Sequence, residues 1–126
     1  MKTLFLLALA ATLGLSTMID GVAAAGLPLR VGECVATRVK TVTSRLEHMP
    51  GTGSAIEFVN GGYQVSYDQV PAVDRSRPGD PVTVCLVSIP KDCPPGDDRG
   101  REYRTTNRRT GQSWTLPDAQ HMCGGA

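Results

Sequence analysis

No run of apolar residues beyond Ile19 is long enough to cross a bilayer, which takes about 20 residues in a helix. Charge of one sign is not in excess: 13 basic and 12 acidic residues leave a formal net charge of +1, so no global field draws the chain to an acidic partner. Histidine is limited to His48 and His121, and the cysteines include no C-x2-C pair, which removes the usual ligand pattern of a zinc site. Phosphate loops, the dinucleotide fingerprint and the G-x-S-x-G elbow are missing. At 126 residues the chain is too short for a Rossmann unit with a substrate domain, or for a (β/α)8 barrel of about 250 residues. These absences leave no cofactor and no metal to expect.

The N-terminal quarter has the layout of an export signal. Lys2 provides a charged start, Leu4 to Ile19 an apolar run shorter than a membrane span, and Ala23-Ala24-Ala25 a small-residue cleavage site. Cleavage after Ala25 is expected, leaving residues 26–126 as one domain in the periplasm or the medium, with no stable membrane insertion. Cys34, Cys85, Cys93 and Cys123 all fall in that domain, and an even number in a short exported chain signals disulfides. Four cysteines allow three connectivities. The preferred pairing is Cys34–Cys85, joining two strands, with Cys93–Cys123, pinning the tail to a proline-rich loop.

Glycine (14) and proline (9) cut the domain into short pieces, and the apolar period that recurs is two rather than 3.6. Strands are expected over Glu33–Thr43, Ala55–Val59, Tyr63–Val70, Val82–Ile89, Arg101–Asn107 and Gln112–Leu116. Asn60-Gly61-Gly62 marks a hairpin turn, because these residues accept positive φ. In the third strand Tyr63, Val65 and Tyr67 are expected on the buried face and Gln64, Ser66 and Asp68 on the wet one. Val82–Ile89, apolar on both faces, reads as a central strand. Pro71 to Pro81 reads as a turn-rich connection, and Pro117 to Ala126 as a tail held only at Cys123. The sum is an all-β fold of about six short strands, either a small partly open barrel of the OB or SH3-like kind or a compact sandwich.

Three groups of residues offer chemistry. The loop Asp92-Cys93-Pro94-Pro95-Gly96-Asp97-Asp98-Arg99-Gly100 combines restricted backbone with three carboxylates, fit for a rigid binding loop, for a weak Ca2+ site whose spacing matches no EF-hand, or for a turn in which Arg99 pairs with Asp97 or Asp98. Arg99, Arg101, Arg104, Arg108 and Arg109 crowd eleven residues beside Tyr103 and Trp114, and guanidinium groups near aromatics grip anions or rings. An exported chain seldom meets nucleic acid, so the anion is expected to be an envelope polymer or an acidic protein surface. His121, with Asp118 and Ser113, makes a catalytic set only on paper, since nothing in the spacing demands it.

The C-terminal block Cys93-Pro94-Pro95-Gly96-Asp97-Asp98-Arg99-Gly100, followed by Tyr103, Asn107, Thr110-Gly111, Trp114, Pro117-Asp118 and His121 to Gly125, resembles a group of short exported bacterial proteins that are uncharacterised. The resemblance implies an envelope or secreted location and no activity. In size and export the chain is also similar to the small β-barrel lysozyme inhibitors of the periplasm, but their Ser-Gly…Tyr loop motif is absent, Gly53-Ser54 reversing the order. The expected function is a non-catalytic binding module for a protein or envelope component, using Asp97, Asp98, Arg99, Arg101, Arg104, Arg108, Trp114 and His121. An inhibitor of a lysozyme or protease, and a small hydrolase, are the alternatives.

Overall fold

The computed structural model describes residues 26–125 together with Gly14; the expected export signal otherwise lies outside the described residues. Six strands, β1 (Cys34–Ser44), β2 (Ser54–Phe58), β3 (Tyr63–Ser66), β4 (Pro81–Ser88), β5 (Glu102–Asn107) and β6 (Ser113–Pro117), form one antiparallel sheet in the order β3-β2-β1-β4-β5-β6. The fold is all-β, as the alternation predicts, and the sheet is a curled half-barrel rather than a two-layer sandwich.

The curl originates in β1. Its first half, Cys34 to Arg38, pairs with β4, whereas Val39 to Ser44 pair with β2, and the register shifts between Val39 and Thr41. A bulge of this kind bends a strand and increases its twist, so one long strand serves two differently oriented halves of the sheet. Val39, Ile56, Phe58, Val82, Val84, Leu86, Tyr103 and Trp114 fill the concave side. Val73 joins them from α1 (Pro71–Asp74), a single helical turn inside the connection read from sequence as turns alone. In β4 the apolar residues split: Val82, Val84 and Leu86 are buried, while Val87 on the convex side is 38% exposed.

Both disulfides form in the preferred pairing. Cys34 and Cys85 face each other in the β1–β4 ladder, and Cys93 is joined to Cys123. The hairpin turn sits where Asn60-Gly61-Gly62 predicts: Gly61 has φ 88°, Phe58 N donates to Gly62 O at 2.8 Å, and Gly62 N donates to Asn60 Oδ1 at 3.1 Å. Gly53, at φ 115°, lies so close to the Ser66 carbonyl that a Cβ there would collide with backbone.

Two expectations for β3 are corrected. β3 ends at Ser66, because Ser66 Oγ accepts from Asp68 N at 3.0 Å and Val70 N donates to Ser54 Oγ at 2.9 Å, turning the chain into α1. Its faces also differ from the expected alternation: Gln64 is buried and Tyr67 is 55% exposed. Gln64 spans the seam between the two sheet edges. Its Nε2 donates to Tyr103 O at 2.7 Å and Leu116 O at 3.0 Å, and its Oε1 accepts from Thr105 Oγ1 at 2.6 Å and Trp114 Nε1 at 2.9 Å. A buried amide is tolerated when its donors and acceptors are satisfied, and this one joins β3 to β5 and β6 where no ladder does.

Nor is the tail held by Cys123 alone. Cys123 N donates to Arg99 O at 3.0 Å and Gly124 N to Asp97 Oδ2 at 3.0 Å. Gln120 receives Arg45 Nη1 at 3.0 Å, while Tyr67 Oη donates to its carbonyl at 3.3 Å. The Arg45 guanidinium stacks 4.2 Å from the centre of the Tyr67 ring.

Candidate functional site

The segment Arg75-Ser76-Arg77-Pro78-Gly79-Asp80, which leads from α1 into β4, lies against the β5–β6 turn at Arg108–Gly111. A buried polar network holds the two together. Asn107 Nδ2 donates to Ser76 Oγ at 3.0 Å and to Asp80 Oδ2 at 2.9 Å. The Asn107 Oδ1 accepts from Arg109 N at 2.9 Å and Thr110 N at 3.2 Å, which shapes the hairpin turn. Asp80 Oδ2 also accepts from Arg77 N at 2.8 Å, and its Oδ1 accepts from Arg109 Nε at 2.6 Å. Arg109 beside it is the main reason the Asp80 carboxyl stays well below the usual carboxylate range, against the opposing effect of burial. The remaining reach of Arg109 goes to Arg75 O, 2.9 Å from Nη2.

Above this network is an open groove of about 510 Å³, lined by Asp74, Arg75, Ser76 and Arg77 from one segment and Arg109, Thr110 and Gln112 from the other. The Arg75 and Arg77 side chains are exposed, and among the described residues their guanidinium groups have no hydrogen-bond or ion-pair partner. Two further arginines border the same segment: Arg38 Nη1 donates to Gly79 O at 2.9 Å, and the exposed Arg108 is anchored by its backbone N to Pro81 O at 2.9 Å. Five arginines and two carboxylates, Asp74 and Asp80, thus give this face a net charge of +3 on a chain whose total is +1.

The residues singled out from sequence are placed separately. Arg99 donates through Nε and Nη2 to both oxygens of Asp97, each at 2.9 Å, and Gly124 N adds a third bond to that carboxylate. The loop therefore spends its main charge pair internally, on holding the tail. Asp98 is exposed beside it. Arg101 is half-buried near the Tyr103 hydroxyl and Asp118. Burial pushes the Asp118 carboxyl up, while the bond from Gly100 N at 2.8 Å opposes this. Arg104 is exposed on the convex face, in register with Cys85 and Thr115. Trp114 is buried in the core with its Nε1 on Gln64, so it is not presented to a ligand with the arginines.

His121 is exposed in the tail and borders a second groove, of about 350 Å³, along the β3–β6 seam with Val65, Tyr67, Leu116, Pro117 and Met122. Ser113 Oγ is bonded to Thr106 Oγ1 at 2.8 Å and begins the strand after whose end Asp118 lies, so Ser113, Asp118 and His121 do not converge. Among the described residues no three His, Cys, Asp or Glu side chains gather as a metal-binding group, and no helix is long and apolar enough to cross a membrane.

Arg75, Arg77 and Arg38 escape the sequence reading because they are remote from the Arg99–Arg109 cluster, and only the β3–β4 connection, the β1–β4 pairing and the β5–β6 turn bring them beside it. No protein-family model, curated protein or solved structure matches the chain.

Proposed function

We propose that the protein is an exported, non-catalytic β-module that binds an anionic component of the cell envelope through the groove at Arg75, Arg77 and Arg109. The observation that carries this reading is the pair of exposed, unpartnered guanidinium groups at Arg75 and Arg77, mounted on a segment fixed by the buried Asp80–Asn107–Arg109 network. Planar guanidinium forks suit phosphate and carboxylate oxygens, and a rigid mount spares the ordering cost of binding. Both disulfides suit an oxidising compartment, which supports an exported product. Arg109 serves as a structural member of the site, since its Nε and Nη2 donate to Asp80 Oδ1 and Arg75 O, while its other N–H donors stay open to the groove.

A comparison of wild type with Arg75→Gln/Arg77→Gln in pull-downs from an envelope extract tests the reading. The variant is expected to lose the retained anionic component while keeping the wild-type melting temperature. Identical retained material would refute it, and retention of an acidic protein alone would replace the envelope polymer with a protein partner.

A further inference from the structure

We infer that the arginine-bearing face docks on an anionic phospholipid surface, with headgroup phosphates meeting Arg75 and Arg77 at the groove. The inference rests on the reading that this groove binds anions, and names the source of the charge.

Two observations favour a lipid surface. The first is the segregation of charge. A face of net +3 on a chain of net +1 leaves the rest of the molecule at −2, so an anionic plane attracts one side and repels the other, orienting the domain as it approaches. The second is an exposed apolar residue adjoining one of the arginines: Val59, 56% exposed, donates its backbone N–H to Arg38 O at 3.0 Å, and an aliphatic side chain beside a cation suits the headgroup boundary.

Docking of this kind is peripheral. It needs no membrane-spanning element, and its strength comes from summed phosphate contacts within a Debye length of the surface. The seam groove at His121 has less charge and lacks any comparable sign of what would occupy it.

The test is co-sedimentation of the full chain, as recovered from an exporting host, with vesicles of phosphatidylcholine alone or of equimolar phosphatidylcholine and phosphatidylglycerol. Binding is expected only to the anionic vesicles at about 0.05 M salt and is expected to disappear at about 0.5 M. Arg75→Gln/Arg77→Gln should weaken vesicle binding by about 25-fold, whereas Arg30→Gln/Lys91→Gln, which removes two exposed charges elsewhere, should leave it within about twofold. Equal binding to both vesicle types, or equal loss in the two variants, would overturn the proposal. Soluble polyphosphate separates it from the reading beneath: failure on vesicles with Arg75- and Arg77-dependent polyphosphate binding removes the lipid surface alone, and failure on both removes the anion-binding groove as well.

Discussion

Arg109 Nε lies 2.6 Å from Asp80 Oδ1, and this contact links the β5–β6 turn to the segment that carries Arg75 and Arg77. The pair is asymmetric: Asp80 is buried, while the Arg109 side chain remains 39% exposed. Each Asp80 oxygen faces a donor, so the carboxylate organises the groove floor and leaves the outer guanidinium groups available.

A pH dependence follows from Asp80. Its folded-state pKa is depressed, chiefly by Arg109, below that of an unfolded aspartate near 3.9. The charged carboxylate therefore contributes stability above about pH 4, and that contribution is lost as pH falls through the unfolded and then the folded value. Wild-type melting temperature should decline below about pH 4. Asp80→Asn should cost about 2 kcal/mol at pH 7, because an amide donor would face Arg77 N–H or Asn107 Nδ2–H, and should show a flatter acid limb. Thermal melts from pH 7 downward check both; a variant with wild-type stability at pH 7 would contradict the account of the network.

Gln64 is the second such test. Gln64→Leu keeps the volume but strands Thr105 Oγ1–H, Trp114 Nε1–H and the carbonyls of Tyr103 and Leu116. A loss of about 3 kcal/mol is expected, or about 15 °C in melting temperature for a domain of this size. The fluorescence of Trp114 should report the same opening of the seam. A neutral effect would mean that packing alone closes the half-barrel.

The two disulfides should differ in what they protect. Cys34–Cys85 closes 51 residues of sequence between the two central strands, and its removal by paired alanine substitution should cost about 4 kcal/mol globally. Cys93–Cys123 ties a tail that opens without unfolding the sheet, so removing it should appear first as faster amide exchange at Arg99, Cys123 and Gly124. Uniform loss of protection across the sheet would show the tail to be integral to the fold.

Much of the architecture is legible in the alternating residues. The six strand segments and the Asn60 turn follow from period-two alternation and turn chemistry, whereas the cysteine pairing, one of three that four cysteines allow, matches the preferred one without following from the sequence. Gln64 is misassigned because its polarity suggests solvent, and only four partners from β5 and β6 make its burial tolerable. The candidate site was half visible. Arg108 and Arg109 belong to a dense local cluster, but Arg38, Arg75 and Arg77 join them through a bent β1 and a connection that no local pattern reveals. A net charge of +1 likewise conceals the uneven distribution, which is a property of the fold. The conspicuous Asp97–Arg99 pair stays at the surface but is satisfied internally, because Arg99 takes both Asp97 oxygens and the returning tail adds Gly124 N.

The most direct measurement of the central claim is a two-dimensional amide NMR titration of the folded protein with soluble polyphosphate. The account predicts shifts confined to Arg75, Ser76, Arg77, Arg109, Thr110 and Gln112, abolished in Arg75→Gln/Arg77→Gln, with Asp97 to Gly100 unmoved. Shifts centred on Asp97 to Gly100, or none at the arginine groove, would contradict it.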